Sequence, residues 1–168
     1  DAELRDEAAA FLEWLQQAKE RYDLVLLDTP AMLALPDAKT LSELTDGIVM
    51  VVRADVTRPE SLTSLPGGLD FVVYAVAAKQ RDEAVYRAVY LDGLGNILRA
   101  LADLGQRPRR LFFTSSTSVY GQRRGEWVDE TSPTHPAGFA GEIVLSAERL
   151  LAASRIPGTS LRLGGLYG

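Results

Sequence analysis

The chain has 168 residues, 46% apolar and 24% charged, with a net charge of −5, which describes a globular domain with enough chain for a core. The acidic balance removes any general attraction to nucleic acid or anionic membrane, and the lack of cysteine excludes disulfides and thiolate metal sites. A single histidine, His135, excludes a histidine-rich metal centre; no apolar run is long enough to span a bilayer and no signal peptide opens the chain, so the expected location is the cytoplasm.

In chain order, residues 3–20 carry Ala8, Phe11, Leu12 and Leu15 at helical spacing. YDLVLLDTP is a short apolar run ending in Asp28, Thr29 and Pro30, as in a strand buried on both faces. PDAKTLSELTDG opens with Pro-Asp and closes with Gly, the punctuation of a short helix. GIVMVVRAD reads as a second buried strand, RPESLTSLPGG as a short helix and turn, and LDFVVYAVAA as a third strand. Residues 81–104 form a long amphipathic helix with Val85, Val89, Leu94, Ile97, Leu98 and Leu101 on its apolar stripe. RRLFFTSS is the fourth strand, residues 117–138 a polar loop, AGEIVLSAERLLAAS a helix and TSLRLGGLYG a fifth strand. The chain starts at Asp1 and stops at Tyr167-Gly168 just after that strand, so both ends read as cut.

Strand and helix alternate, and the strands are continuous apolar runs. This predicts an α/β fold with about five mostly parallel strands, covered by helices on both faces and joined by right-handed crossovers. Ligands of such sheets sit at the carboxyl ends of the strands. Those ends are Asp28-Thr29, Ala54-Asp55, Ala75–Ala78, Thr114–Thr117 and Gly164–Gly168.

Residues 22–53 resemble the later part of bacterial tyrosine autokinases, P-loop ATPases related to the partitioning and division-site ATPases. The strand ending in Asp-Thr-Pro carries the likeness, with the Asp37-Ala38 that opens the next helix and the Asp46-Gly47 before an apolar strand. The resemblance implies that Asp28 is a Mg²⁺-ligating carboxylate and that Mg-ATP is a ligand. No G-x-x-x-x-G-K-[ST] loop occurs, however, and Lys39-Thr40 follows Ala38 without a glycine turn.

Residues 51–168 resemble the extended short-chain dehydrogenase/reductase family, the NAD(P)-dependent epimerases and dehydratases of sugar nucleotides. The most specific piece is RLFFTSSTSVYG; RADVTRPESL, LDFVVYAVAA, YRAVYLDGLGNILRAL, GEWVDETSPTHP and TSLRLGGLYG follow the family's order around it. The resemblance implies a three-layer αβα Rossmann-like sandwich and an NAD or NADP cofactor. It places Asp55 and Val56 beside the adenine, passes the cofactor over Ala75, Val76 and Ala77, adds Thr114 and Ser115 at the next strand end, and puts Ser116 at the catalytic serine position. Two readings stay open for Asp55 and Ser116, since one could cap a loop and the other could be a structural hydroxyl.

The family's chemistry uses a tyrosine as general acid/base and a lysine one helical turn on. Aligning Leu145-Ser146-Ala147-Glu148 with the usual L-x-x-E puts Ala140 and Val144 at those positions, as in atypical branches of the family. The glycine-rich turn that should precede residue 51 is absent, and Gly93-Leu94-Gly95 falls inside a helix. The chain therefore reads as a composite, ATPase-like over residues 1–54 and dehydrogenase-like over 51–168, overlapping at Val51, Val52, Arg53 and Ala54. The expected function is an NAD(P)-binding domain that is catalytically incomplete. The alternatives are a folded scaffold without a ligand and a fragment binding Mg-ATP through Asp28. Expected partners are the nucleotide cofactor and a sugar nucleotide, with neither nucleic acid nor membrane. Self-association through an exposed sheet edge is a further expectation.

Overall fold

The computed structural model describes residues 2–22, 25, 46–122 and 124–164. Asp28, most of the YDLVLLDTP strand, residues 36–45 of the helix expected over 36–47 and the strand end at 165–168 lie outside the described residues. The chain divides into two compact units, residues 1–51 and 52–168.

In the first unit, helix α1 (Ala2–Arg21) forms where the periodicity places it, with Lys19 and Arg21 in the last turn beside the negative end of the helix dipole. Leu15 and Ala18 are buried, and the Phe11 and Trp14 rings pack at 5.9 Å. The strand expected over GIVMVVRAD does not form: residues 47–55 join no ladder, and Val49 and Val51 are 86% and 92% exposed. An apolar run becomes a parallel strand only where neighbouring strands satisfy its amides and carbonyls. Residues 47–55 have no such neighbour among the described residues.

The second unit holds a sheet of three parallel strands, β1 (Phe71–Tyr74), β2 (Arg110–Ser116) and β3 (Gly158–Leu163), in the order β1-β2-β3. Phe71 pairs with Arg110 and Tyr74 with Phe113; Leu111 pairs with Gly158 and Ser116 with Leu163. The architecture is α/β and Rossmann-like, with three of the expected strands among the described residues. Alternation divides each strand by face. Tyr74, Leu111, Phe113 and Ser115 point into the core, whereas Phe71, Val73, Leu161 and Leu163 stand exposed.

After a 3-10 turn (Pro59–Leu62), the segment read as one helix over 81–104 is broken into three parts. These are α2 (Glu83–Tyr86), a π-helical turn (Arg87–Asp92) and α3 (Gly93–Asp103). Asp82 caps α2, its carboxylate accepting from Val85 N–H at 3.0 Å. Gly93 N–H reaches back five residues to the Ala88 carbonyl and closes the π turn. Leu94, Ile97 and Leu101 of α3 join Leu62, Leu111, Phe113 and Val119 in the core. Helix α4 (Phe139–Ala152) adds Val144, Leu145, Ala147 and Leu151 to the same cluster.

A side chain at Gly93 would place its Cβ 2.5 Å from Tyr74 Oη and 2.9 Å from Val56 Cγ2, so the π turn can press onto β1 only with glycine there. Tyr74 is 3% exposed and donates to the Val89 carbonyl at 2.6 Å. Burial, and secondarily the neighbouring Tyr90 phenol, push Tyr74 well above the ordinary phenol range. The native state therefore holds this proton more tightly than the unfolded chain. Its contribution to stability is complete below about pH 10 and drains away as pH climbs above that value. Tyr74→Phe should lower stability by about 1 kcal/mol at neutral pH and flatten the alkaline fall, read from urea midpoints at about pH 8 and about pH 11.

Candidate functional site

The carboxyl ends of β1 and β2 and the loop after residue 54 carry most of the residues expected to meet a ligand. Asp55 is exposed and begins a tight turn: its Oδ1 accepts from Thr57 N–H at 3.0 Å and from Thr57 Oγ1 at 2.7 Å. The Thr57 hydroxyl and amide hold its carboxyl below the usual carboxylate range. Val56 is half-buried on the core, and its carbonyl accepts from Asn96 Nδ2 at 2.8 Å, which anchors the turn to α3. Beyond β1, Ala75 and Ala77 are exposed while Val76 turns onto the core. Ala78 N–H donates to Tyr90 Oη at 3.4 Å.

On β2 the three neighbouring hydroxyls have different tasks. Thr114 Oγ1 donates to the Tyr74 carbonyl at 3.0 Å and ties the strand ends together. Ser115 is buried and donates to Glu148 Oε1 at 2.5 Å. Ser116 caps the 3-10 turn Thr117–Val119, its Oγ accepting from Ser118 N–H at 3.1 Å. That bond uses a lone pair and leaves the Ser116 hydroxyl proton for another acceptor. Helix α4 begins against this turn. A Cβ on Gly141 would lie 2.2 Å from the Ser118 carbonyl oxygen and 2.7 Å from Pro136 Cβ. Ala140 is half-buried in that first turn and Val144 is 3% exposed within the core. Neither can carry a proton.

Sequence reasoning passed over the polar network behind Ser116. Glu148 is 8% exposed and binds Arg162 through both oxygens, Nε to Oε1 at 3.0 Å and Nη2 to Oε2 at 2.8 Å. Arg162 Nη1 donates to Tyr120 Oη at 2.8 Å, and Tyr120 donates to the Asp129 carbonyl at 2.8 Å. The guanidinium also lies 5.0 Å from the centre of the Tyr120 ring. Its bonds to Glu148 raise the Arg162 pKa above its ordinary value. The Asp129 carboxylate, held below its usual range by Thr131 and Ser132, closes the next turn of the loop. Helix α4, β2, β3 and the loop are thus fastened together at the end where Ser116 sits. The available signal was a carboxylate on the apolar stripe of α4 and an arginine at an inward position of β3.

Thr117, Tyr120, Asp129, Glu130 and Arg162 line an open groove beside this network. Among the described residues, no group of His, Cys, Asp or Glu is arranged to hold a metal ion, and no helix is long and apolar enough to cross a membrane.

A model of the NAD dependent epimerase/dehydratase family matches residues 10–168. The chain belongs to that family. The match runs through residues 10–54, the segment whose motifs resemble the ATPases. Among curated relatives of the epimerase/dehydratase chain, protein YeeZ of Escherichia coli (strain K12) is 46% identical over 68 residues, which are 39% of this chain and 24% of YeeZ. Among solved structures, a Methylobacillus flagellatus protein assigned as an NAD-dependent epimerase/dehydratase is 44% identical with a TM-score of 0.55, over 68% of this chain and 39% of that one. WbmG of Bordetella bronchiseptica, solved with NAD and UDP, is 27% identical with a TM-score of 0.55, over 66% of this chain and 36% of WbmG. The chain therefore spans well under half the length of these relatives.

Proposed function

We propose that residues 52–168 form the cofactor-binding part of an NAD(P)-dependent enzyme acting on a sugar nucleotide, with little turnover of its own. The observation that carries this reading is the strand-end arrangement. Asp55 presents an exposed carboxylate with Oδ2 unengaged, small residues follow β1 at Ala75 and Ala77, and Ser116 stands at the end of the adjacent strand with a proton to donate. These groups suit the adenosine and the reacting end of a dinucleotide: a carboxylate for amine or hydroxyl donors, small side chains for close approach, and a hydroxyl for a substrate oxygen. Support comes from the family and from WbmG, which holds NAD and UDP. Ala140 and Val144 account for the low turnover. The pyrophosphate seat at a helix N-terminus has no counterpart among the described residues, so binding is expected to be weak.

Titration with NADH, read by its fluorescence, tests the proposal. Saturable binding is expected in the high-micromolar to millimolar range, weakened roughly fivefold to tenfold by Asp55→Ala. No binding of NADH or NADPH at millimolar concentration removes the reading and leaves a scaffold without a ligand.

A composite origin for residues 1–54 is the second reading. It is favoured by the boundary between the two compact units, which falls beside Val51 and Val52, and opposed by the family match that begins at residue 10. That reading calls for Mg²⁺-dependent ATP binding through Asp28, and the same titration with Mg-ATP in place of NADH addresses it. Self-association belongs to the proposal as well: β1 and β3 each lie at an edge of the described sheet, and edges of that kind admit strands from another copy.

A further inference from the structure

Between Asp46-Gly47 and Arg53 lies an uninterrupted apolar run, Ile48-Val49-Met50-Val51-Val52, in which every residue but Met50 is β-branched. The run has no charge and no proline, and its composition favours strand. It joins no ladder, and each of its side chains is exposed. The exposure alternates: Ile48, Met50 and Val52 are 52%, 47% and 46% exposed, against 86% for Val49 and 92% for Val51. A period of two is that of extended chain, which puts successive residues on opposite faces. A segment composed as a strand, and exposed with a strand's period, thus stands without a neighbour among the described residues.

The pattern of the segment itself selects an occupant. Asp46 and Arg53 flank the run and both are exposed; Asp46 meets Lys19 at 3.4 Å with its side chain still 96% exposed. A second copy laid parallel would set Asp46 beside Asp46 and Arg53 beside Arg53. Laid antiparallel, it brings each Asp46 to the same end of the ribbon as the other copy's Arg53, so opposite charges meet. A two-fold axis between antiparallel strands keeps each residue and its copy on the same face, so opposed residues must be an even number of positions apart. With the axis at Met50, Met50 opposes its own copy, Val49 opposes Val51 and Ile48 opposes Val52. Every residue of the run then meets an apolar one. An axis at Val49 would instead set Val52 against Asp46, and an axis at Val51 would set Val49 against Arg53.

We propose that residues 48–52 are a self-association site at which two copies of the chain pair antiparallel about Met50. The proposal rests on the self-association reading above, moves it from the sheet edges to this segment and does not involve the cofactor. So short a ribbon buries less than the roughly 1,200 Å² of stable complexes, so the expected Kd is weak, on the order of tens to hundreds of micromolar.

Sedimentation of the whole chain from about 1 to about 500 µM is the test, with a concentration-dependent shift from monomer to dimer expected. Val51→Lys alters a side chain that is 92% exposed. It should weaken the dimer about tenfold or more and leave the circular dichroism of the dilute protein unchanged. The chain has no cysteine, so Met50→Cys introduces a single thiol. Opposed residues of an antiparallel pair have Cα atoms about 4.5–5.5 Å apart, within disulfide reach, so mild oxidation should link the Met50→Cys protein into covalent dimers. In the Val49→Cys protein the two thiols stand two positions apart along the ribbon, with Cα atoms beyond about 7 Å, and should link about tenfold more slowly. A chain that stays monomeric throughout removes both this proposal and the self-association reading. Dimers that withstand Val51→Lys, or a Met50→Cys protein that links no faster than Val49→Cys, overturn this proposal alone and leave the sheet edges as the route.

Discussion

Glu148→Ala is expected to destabilise the protein by about 3 kcal/mol, and to lower its melting temperature by roughly 6–12 °C. Glu148 is buried at the meeting point of Ser115, Arg162 and helix α4, and it accepts three hydrogen bonds. Alanine would leave a serine hydroxyl without its acceptor and a partly buried guanidinium without its counter-charge. The penalty comes from those stranded groups more than from any net worth of the pair. A Glu148→Met, Arg162→Met double variant should therefore cost far less than the sum of the single changes. Urea denaturation of the four proteins closes the cycle; a Glu148→Ala loss below about 0.5 kcal/mol would show that the network holds nothing together.

Gly141→Ala should cost about 2–3 kcal/mol and shift the turn that carries Ser116. The added Cβ would meet a backbone oxygen at 2.2 Å, and a backbone carbonyl in a capped turn cannot rotate aside as the end of a side chain can. Gly95→Ala is the natural control, because its Cβ finds nothing nearer than the Leu150 side chain at 3.7 Å. It lies inside α3, where alanine should stabilise by roughly 0.5–1 kcal/mol through helix propensity. Opposite signs are thus expected for the same substitution in two helices, measurable by denaturant titration. A Gly141→Ala protein as stable as the wild type would mean that α4 does not bear on the Ser118 turn.

What could be read from the residues depended on whether local pattern was sufficient. The expected strands form over Phe71–Tyr74, Arg110–Ser116 and Gly158–Leu163 because each lies beside another strand in one parallel sheet. GIVMVVRAD is as apolar as any of them, yet no ladder partner accompanies it among the described residues, and apolarity cannot create one. Helix α4 was visible from its stripe, and the same stripe hid its most informative residue: Glu148 occupies a core position where the pattern calls for an apolar side chain. The roles of Asp55 and Ser116 stayed open in the sequence because a turn-capping oxygen and a ligand-binding oxygen use the same residue types. The geometry assigns both a capping task and leaves Oδ2 of one and the proton of the other available. The π turn at Arg87–Asp92 carried no signal at all, since periodicity averages such a helical defect away.

That defect sets the phase of the residues before it. A π turn contains one residue more than regular α-helical winding would place there. Loss of a single residue between 87 and 92 would restore regular winding and turn everything upstream by about 100° relative to α3. Tyr86 would then leave Phe139, whose ring it packs against, and face elsewhere. Such a deletion would rephase the segment without changing any other residue, so the length of 87–92 decides which way residues 83–86 face.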